Sequence, residues 1–298
     1  MRSPKKIVDM SKEFSTDKIL GLLFTPKAAV LIRLVLSALR VNSVKNERLE
    51  LSLIRAMWGG EKDPELKHSL GLALTQNYSF DGFATRHNVD HLKEALFLES
   101  YSLGQQTKSW GKLDVRYRAY IVCWVANKVV GLEGDFVECG VNRGALSRAV
   151  INYTQFYKLD KTFYLLDTFK GLEDQYITEK EKALGIHSGR YSECYDAVKN
   201  TFSEFPNVEI IRGPVPETLP RVQSSKISYL SIDMNCTEPS IAAAEYFWDK
   251  LVSGAIIVLD DYGWRKHIEQ KLAFDSFAKR KSVQVLALPT GQGLIFKP

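Results

Sequence analysis

Gly134-Asp135-Phe136-Val137-Glu138-Cys139-Gly140-Val141-Asn142-Arg143-Gly144 is the stretch on which the reading of this chain turns. Phe136 to Cys139 is a short apolar run with strand character, and it stops at a glycine. A helical pattern follows from about Arg143 to Tyr157. Glycines let a chain turn sharply from strand to helix and let a ligand approach the backbone closely. Such a ligand sits at the carboxyl edge of a parallel sheet. The spacing is E-x-G-x-x-x-G, not the G-x-G-x-x-G that brings a pyrophosphate to a helix N-terminus, so a dinucleotide-dependent dehydrogenase is disfavoured. An acidic residue on the strand suits the cationic amino-acid end of S-adenosylmethionine. For the turn alone, a purely structural strand-to-helix junction is the alternative.

Outward from this unit the chain alternates strands and helices. Upstream, Val115, Ile121, Val122, Val125 and Val129 recur at helical spacing, predicting a helix over about 114–130 that stops near Gly131. Downstream, strands are expected at Phe163–Leu166, Val208–Ile211, Ile227–Ile232 and Ala255–Leu259, with helices at about 191–202, 241–251 and 267–278. Two last strands, 283–288 and 294–296, are joined by Pro289-Thr290-Gly291-Gln292-Gly293, a connection short enough to make them antiparallel. The expected fold class is α/β: a doubly wound parallel sheet closed by an antiparallel C-terminal hairpin, the order of class I methyltransferases. Residues 1–112 read as a helical N-terminal region with breakers at Gly59-Gly60, Pro64, Gly82 and Gly104, and residues 113–298 as the catalytic domain.

Carboxylates at strand ends supply the candidate chemistry. Asp167 closes the second strand, where a carboxylate can accept both hydroxyls of a ribose; an N-cap is the structural alternative. With Glu138, Gly140, Val141, Asn142, Arg143 and Gly144 it makes the candidate cofactor set. Asp233, Asp260 and Asp261 end two further strands at the same sheet edge. Three clustered carboxylates repel unless a cation neutralises them, and oxygen-only ligands favour Mg²⁺. Loop caps are the alternative, and spacing alone does not decide. His267, just after the Asp pair, is a candidate general base beside Asp233, or else a surface histidine. His87 and His91 stand four apart and read as structural or lid residues. Residues 170–190 are long for a connection in such a fold, as active-site lids are; Glu179-Lys180-Glu181-Lys182 would equally suit a disordered segment.

Four blocks now carry a resemblance. Gly134 to Val141 followed by Arg143-Gly144, Asp167-Thr168-Phe169-Lys170-Gly171-Leu172, Arg212-Gly213 with Glu217-Thr218-Leu219-Pro220, and Leu259-Asp260-Asp261-Tyr262-Gly263 resemble motifs of the macrocin O-methyltransferase (TylF/MycF-like) family of class I S-adenosylmethionine-dependent methyltransferases. The resemblance covers about residues 115–298. It implies Mg²⁺-assisted methylation of a sugar hydroxyl in a glycan or secondary metabolite, with the metal on Asp233, Asp260 and Asp261. The chain departs from the family at Asn235, where a second Asp usually stands. A metal-independent methyltransferase, or a non-catalytic partner protein that keeps the cofactor fold, are the rival functions.

The formal net charge is +5, unevenly placed. Residues 1–45 hold nine Lys/Arg against three Asp/Glu, leaving 31 basic and 32 acidic residues in the remainder. The catalytic region is therefore not a basic nucleic-acid surface. Residues 19–40 are apolar but interrupted by Pro26, Lys27 and Arg33, which disfavours a transmembrane helix and leaves packing on the domain or on a partner subunit, or peripheral membrane contact. Four scattered cysteines and no signal-peptide pattern lead to the expectation of a reduced, cytoplasmic protein, expected to form a homo-oligomer.

Overall fold

The computed structural model of the protein describes residues 77–298. The expectations for residues 19–40, Gly59-Gly60 and Pro64 lie outside the described residues. One compact unit takes in Ser79–Phe83 and Asn88–Pro298; the other described residues, 77–78 and 84–87, fall to a second unit.

Two short strands, β1 (Tyr78–Phe80) and β2 (Phe83–Thr85), are joined by Asp81-Gly82, both at positive φ as a tight hairpin turn demands. Helices α1 (Ala95–Gln106) and α2 (Arg116–Val129) follow. Then come β3 (Asp135–Cys139), α3 (Ala145–Tyr153), β4 (Phe163–Asp167), α4 (Glu179–Ala183) and α5 (Tyr195–Phe202). After β5 (Val208–Arg212) and β6 (Ile227–Ile232) the chain runs through α6 (Thr237–Trp248), β7 (Leu251–Leu259) and α7 (Ile268–Arg280). It ends with β8 (Val285–Ala287) and β9 (Gly293–Phe296). The seven-stranded sheet has the order β5-β4-β3-β6-β7-β9-β8. β3, β4, β5, β6 and β7 pair in parallel, and β9 inserts antiparallel between β7 and β8. This is the doubly wound sheet with a C-terminal hairpin that the sequence pattern predicts.

The central strand β6 is buried along its whole length, as a parallel strand covered on both faces must be. Val137 and Cys139 of β3 and Leu230 and Ile232 of β6 pack with Phe247 of α6 and Phe274 and Phe277 of α7. Alternate residues serve the other face, where Phe136, Phe156, Phe163 and Tyr229 form an aromatic cluster with ring centroids 4.9–6.2 Å apart. Glu138 points to that second face, beneath α3.

One local expectation is revised, and two others gain detail. Gly104 is not a breaker but lies inside α1, buried; a Cβ there would come within 2.7 Å of the Ala145 carbonyl, so glycine lets α1 close onto the start of α3. Residues 88–112 thus belong to the same compact unit as 113–298, and the expected boundary at 112/113 falls within it. Segment 170–190 is ordered: Thr178 and Glu181 form a capping box on α4. The buried Glu181 carboxylate also accepts hydrogen bonds from the backbone N–H and hydroxyl of Thr237 at 2.8 and 2.6 Å, docking the segment on the start of α6.

Candidate active site

The carboxyl ends of β3, β4, β6 and β7 deliver all the predicted acidic residues to one edge, as the doubly wound topology requires. Glu138 is fully buried and its Oε2 accepts a hydrogen bond from Ser147 Oγ of α3 at 2.5 Å. Burial pushes its carboxyl up to about 8. Asp167 Oδ2 accepts from the Asn142 N–H at 2.7 Å and Oδ1 from the Phe169 N–H at 2.6 Å. One carboxylate therefore clamps the glycine turn after β3 to the turn after β4. Burial raises the Asp167 pKa, and these N–H donors offset part of that cost.

Each of the two glycines of the turn faces a part of the protein's own chain. Gly140 has φ +92°, and a Cβ there would sit 2.0 Å from the Asp233 carbonyl oxygen. Gly144 has φ +81°, and its Cβ would strike the Phe202 ring at 2.4 Å. The space they leave is taken by the protein's own chain. Gly140 is what allows the end of β6 to lie beside the end of β3, with the Asp233 N–H bonded to the Cys139 carbonyl at 2.8 Å.

A cleft of about 780 Å³ opens over β3, β4 and β5; Gly140, Asn142, Asp167, Phe169, Pro214 and Met234 are in its wall. A second, more open cleft of about 1810 Å³ contains Glu138, Val141, Arg118, Asp260, Asp261 and His267. The two share Asn142, Tyr191, Asp233 and Asn235. Arg143 and Gly144 line neither.

Asp233, Asp260 and Asp261 converge, one carboxylate oxygen of each lying within 4.8 Å of the others. Burial, then Asp260 and Asp261, drive the Asp233 pKa well above the usual range; burial and then Asp260 push Asp261 up to about 7. Asp261 Oδ2 is buried with no hydrogen-bond partner. An all-oxygen set with an unsatisfied buried oxygen fits a hard divalent cation. Asn235, at φ +53°, donates from Nδ2 to Asp233 Oδ1 at 3.2 Å, so the residue that departs from the family still addresses the cluster.

Sequence reasoning missed the cation already there. Arg118 of α2 donates from Nη1 to Asp260 Oδ2 at 2.6 Å, from Nε to Asp81 Oδ2 at 2.8 Å and from Nη2 to Asp81 Oδ1 at 3.1 Å. Burial works against its charge, but Asp260 and Asp81 outweigh it and raise its pKa. Gln292, in the hairpin before β9, donates to the other Asp260 oxygen at 3.0 Å. Asp260 is 142 positions from Arg118, so no local motif announces the pair.

His267 is buried, not on the surface, with Nε2 3.8 Å from Asp261 Oδ1 and Nδ1 3.1 Å from Gln270 Nε2. With the Gln270 amide donating to Nδ1, the neutral ring carries its proton on Nε2, toward Asp261. Burial lowers its pKa. His87 and His91 do not share a helix: His91 lies on a 3-10 turn (Asp90–Lys93), its ring 5.2 Å from Tyr117 and 4.7 Å from Tyr120. All four cysteines are buried and free. Among the described residues no helix is long and apolar enough to cross a membrane.

Sheet order, terminal hairpin and glycine turn define the class I methyltransferase fold. The family model for macrocin O-methyltransferase (TylF) matches residues 116–286, more than half of the chain, and the chain belongs to that family. A curated relative, 8-demethyl-8-(2,3-dimethoxy-alpha-L-rhamnosyl)-tetracenomycin-C 4'-O-methyltransferase of Streptomyces olivaceus, is 26% identical over 143 residues, 44% of this chain. The match spans about half of that relative's length, 54%. The solved structure of the O-methyltransferase NovP superposes with a TM-score of 0.52 at 20% identity, over 60% of this chain and 79% of its own, and supports the fold.

Proposed function

We propose that the protein transfers the sulfonium methyl of S-adenosylmethionine to a hydroxyl of a sugar in a natural product or glycan. The observation that carries this is the junction of the two clefts: a cleft bearing Asp167 meets a carboxylate-lined cleft at Asn142, Tyr191 and Asp233. Asp167 takes the ribose hydroxyls and Glu138 the amino-acid end, both on strands already rigidified by the sheet. The cluster then stands where the acceptor hydroxyl must come. Asp233, whose carboxyl is raised well above its ordinary range by desolvation and by the charges of Asp260 and Asp261, takes the acceptor's proton. His267 orients Asp261 rather than acting as base, because its cleft-facing nitrogen carries the proton. Asp233, Asp260 and Asp261 would hold a Mg²⁺ ion, which when bound supplies charge neutralisation and Lewis acidity toward a hydroxyl. Positioning of the two reactants supplies much of the rest.

One observation favours a metal-independent variant: the Arg118 guanidinium already sits among the carboxylates. The expected outcome decides between them. Calorimetry detects S-adenosylhomocysteine binding and much weaker NAD binding. Methyl transfer to a rhamnoside panel, followed by mass spectrometry, stops in EDTA and returns with Mg²⁺. Activity untouched by EDTA assigns the balancing charge to Arg118. No S-adenosylhomocysteine binding by the wild-type chain defeats the methyltransferase reading in both forms.

A further inference from the structure

The cleft on the acidic side has two zones of opposite charge. Its floor is the carboxylate cluster, with Asp260 and Asp261 buried and Asp233 half-buried. Its mouth carries Arg190, at the end of the docked 170–190 segment, and Arg265 and Lys266, in the loop after β7. All three are exposed. Among the described residues none has a salt-bridge or hydrogen-bond partner; Arg190 rests over the Tyr191 ring, 5.6 Å from its centroid. Their neighbours on the same segments behave otherwise. Lys170, Lys180 and Lys182 are held by Glu173, Glu269 and Glu179, and Lys271 is held by Asp275. On these two segments the named lysines are paired, while the three cations that line the cleft have no ion-pair or hydrogen-bond partner among the described residues.

An acceptor that seats a hydroxyl on an anionic floor gains nothing from three cations at the rim unless it carries negative charge of its own. Among the described residues no ion pair or hydrogen bond joins the rim to the cluster: Asp260 is held by Arg118 and Gln292, and Arg190 acts on Asp261 through its charge alone. Two guanidinium groups suit phosphoryl oxygens in particular, since their planar donor pairs match that geometry and remain charged at any working pH. Trp110 and Trp264 line the same cleft.

We infer that the acceptor is a phosphorylated sugar, its hydroxyl directed to the Asp233–Asp260–Asp261 floor and its phosphoryl group gripped by Arg190, Arg265 and Lys266. This rests on the methyl-transfer reading for the role of the floor, while the rim's preference for phosphate is a separate property. Two sources share the chemistry, a simple sugar phosphate and a nucleoside-diphosphate sugar.

The test is calorimetry on the full chain, saturated with S-adenosylhomocysteine and kept in EDTA so that no metal ion can bind the phosphate. The probes are methyl glucoside, glucose 1-phosphate and UDP-glucose, against wild type and an R190Q/R265Q/K266Q variant. At least one phosphorylated probe binds tenfold or more tighter than methyl glucoside, and the triple variant loses that advantage. Binding led by UDP-glucose identifies the nucleoside-diphosphate source, and binding equal to that of glucose 1-phosphate identifies the simple phosphate. Retained affinity for S-adenosylhomocysteine shows that the variant is folded. Equal binding of charged and neutral probes, or undiminished phosphate binding by the triple variant, overturns the inference. Absence of S-adenosylhomocysteine binding would instead strike the methyl-transfer reading, leaving the phosphate comparison to be read without it.

Discussion

The corner over β3 and β4 and the corner over β6 and β7 handle buried carboxylates in opposite ways. In the first, each acid is answered by the protein: Glu138 by the Ser147 hydroxyl, Asp167 by two backbone N–H groups. In the second, three carboxylates crowd together, one oxygen of Asp261 has no partner, and the one strong cation comes from a distant helix. The first corner is complete without a ligand. The second is a charge imbalance held in place by the fold, which is the state a site needs if a bound cation is to be stabilised there.

Gly140 joins the two corners, and breaking it gives the largest effect. Gly140→Ala forces a side chain into the Asp233 carbonyl and is expected to cost more than about 4 kcal/mol, as severe backbone clashes in a core do. Urea unfolding monitored by circular dichroism checks it; a stable, folded variant would mean the two strand ends are not locked together. Next, Asp260→Asn is expected to lower methyl transfer by at least about 100-fold, the scale of losing charge stabilisation at a metal site, while leaving S-adenosylhomocysteine affinity within a few-fold. Parallel activity and calorimetry measurements separate the corners, and equal losses in both would merge them.

Arg118→Gln leaves Asp81 and Asp260 without their cation and is expected to destabilise the chain by about 3 kcal/mol. Mg²⁺ should restore part of that loss, measured as a rise in Tm; no Mg²⁺ response would count against a metal at the cluster. Asp167→Ala should weaken S-adenosylhomocysteine binding by about 1.5–3 kcal/mol, the worth of charge-assisted hydrogen bonds, with methyl-transfer rate at saturation changed far less. The smallest effect concerns pH. Glu138 has its pKa raised in the folded state to about 8, so it favours folding below its unfolded value and loses that contribution as pH rises through about 8. The Tm should therefore fall between pH 6 and about 9, and Glu138→Gln should flatten that fall. S-adenosylhomocysteine, whose ammonium favours the ionised carboxylate, should bind more tightly over the same rise. A pH-independent affinity would remove Glu138 from the cofactor site.

Strand positions were legible because parallel strands buried on both faces read as uninterrupted apolar runs; Ile227–Ile232 was placed to the residue. The order of segment 170–190 was also written in the chain, since Thr178-x-x-Glu181 is a capping-box pattern, but the alternating charges beside it obscured that. The glycines were read as letting the chain turn and a ligand approach; a sequence does not show which neighbour fills the space beside a missing Cβ, here the Asp233 carbonyl at Gly140 and the Phe202 ring at Gly144.

By itself, then, the sequence determined the strand–turn–helix unit, the sheet with its terminal hairpin, and the arrival of Glu138, Asp167, Asp233, Asp260 and Asp261 at one edge. Those follow from local periodicity and from the rule that parallel strands point their carboxyl ends the same way. Only the tertiary structure decided what each carboxylate meets there. Arg118, Asp81 and Gln292 reach Asp260 from three elements far apart in the chain, and His267 is buried against Asp261. Periodicity reports which face of an element is buried, whereas charge pairing depends on which faces meet, and that is fixed only when the whole sheet and its helices close.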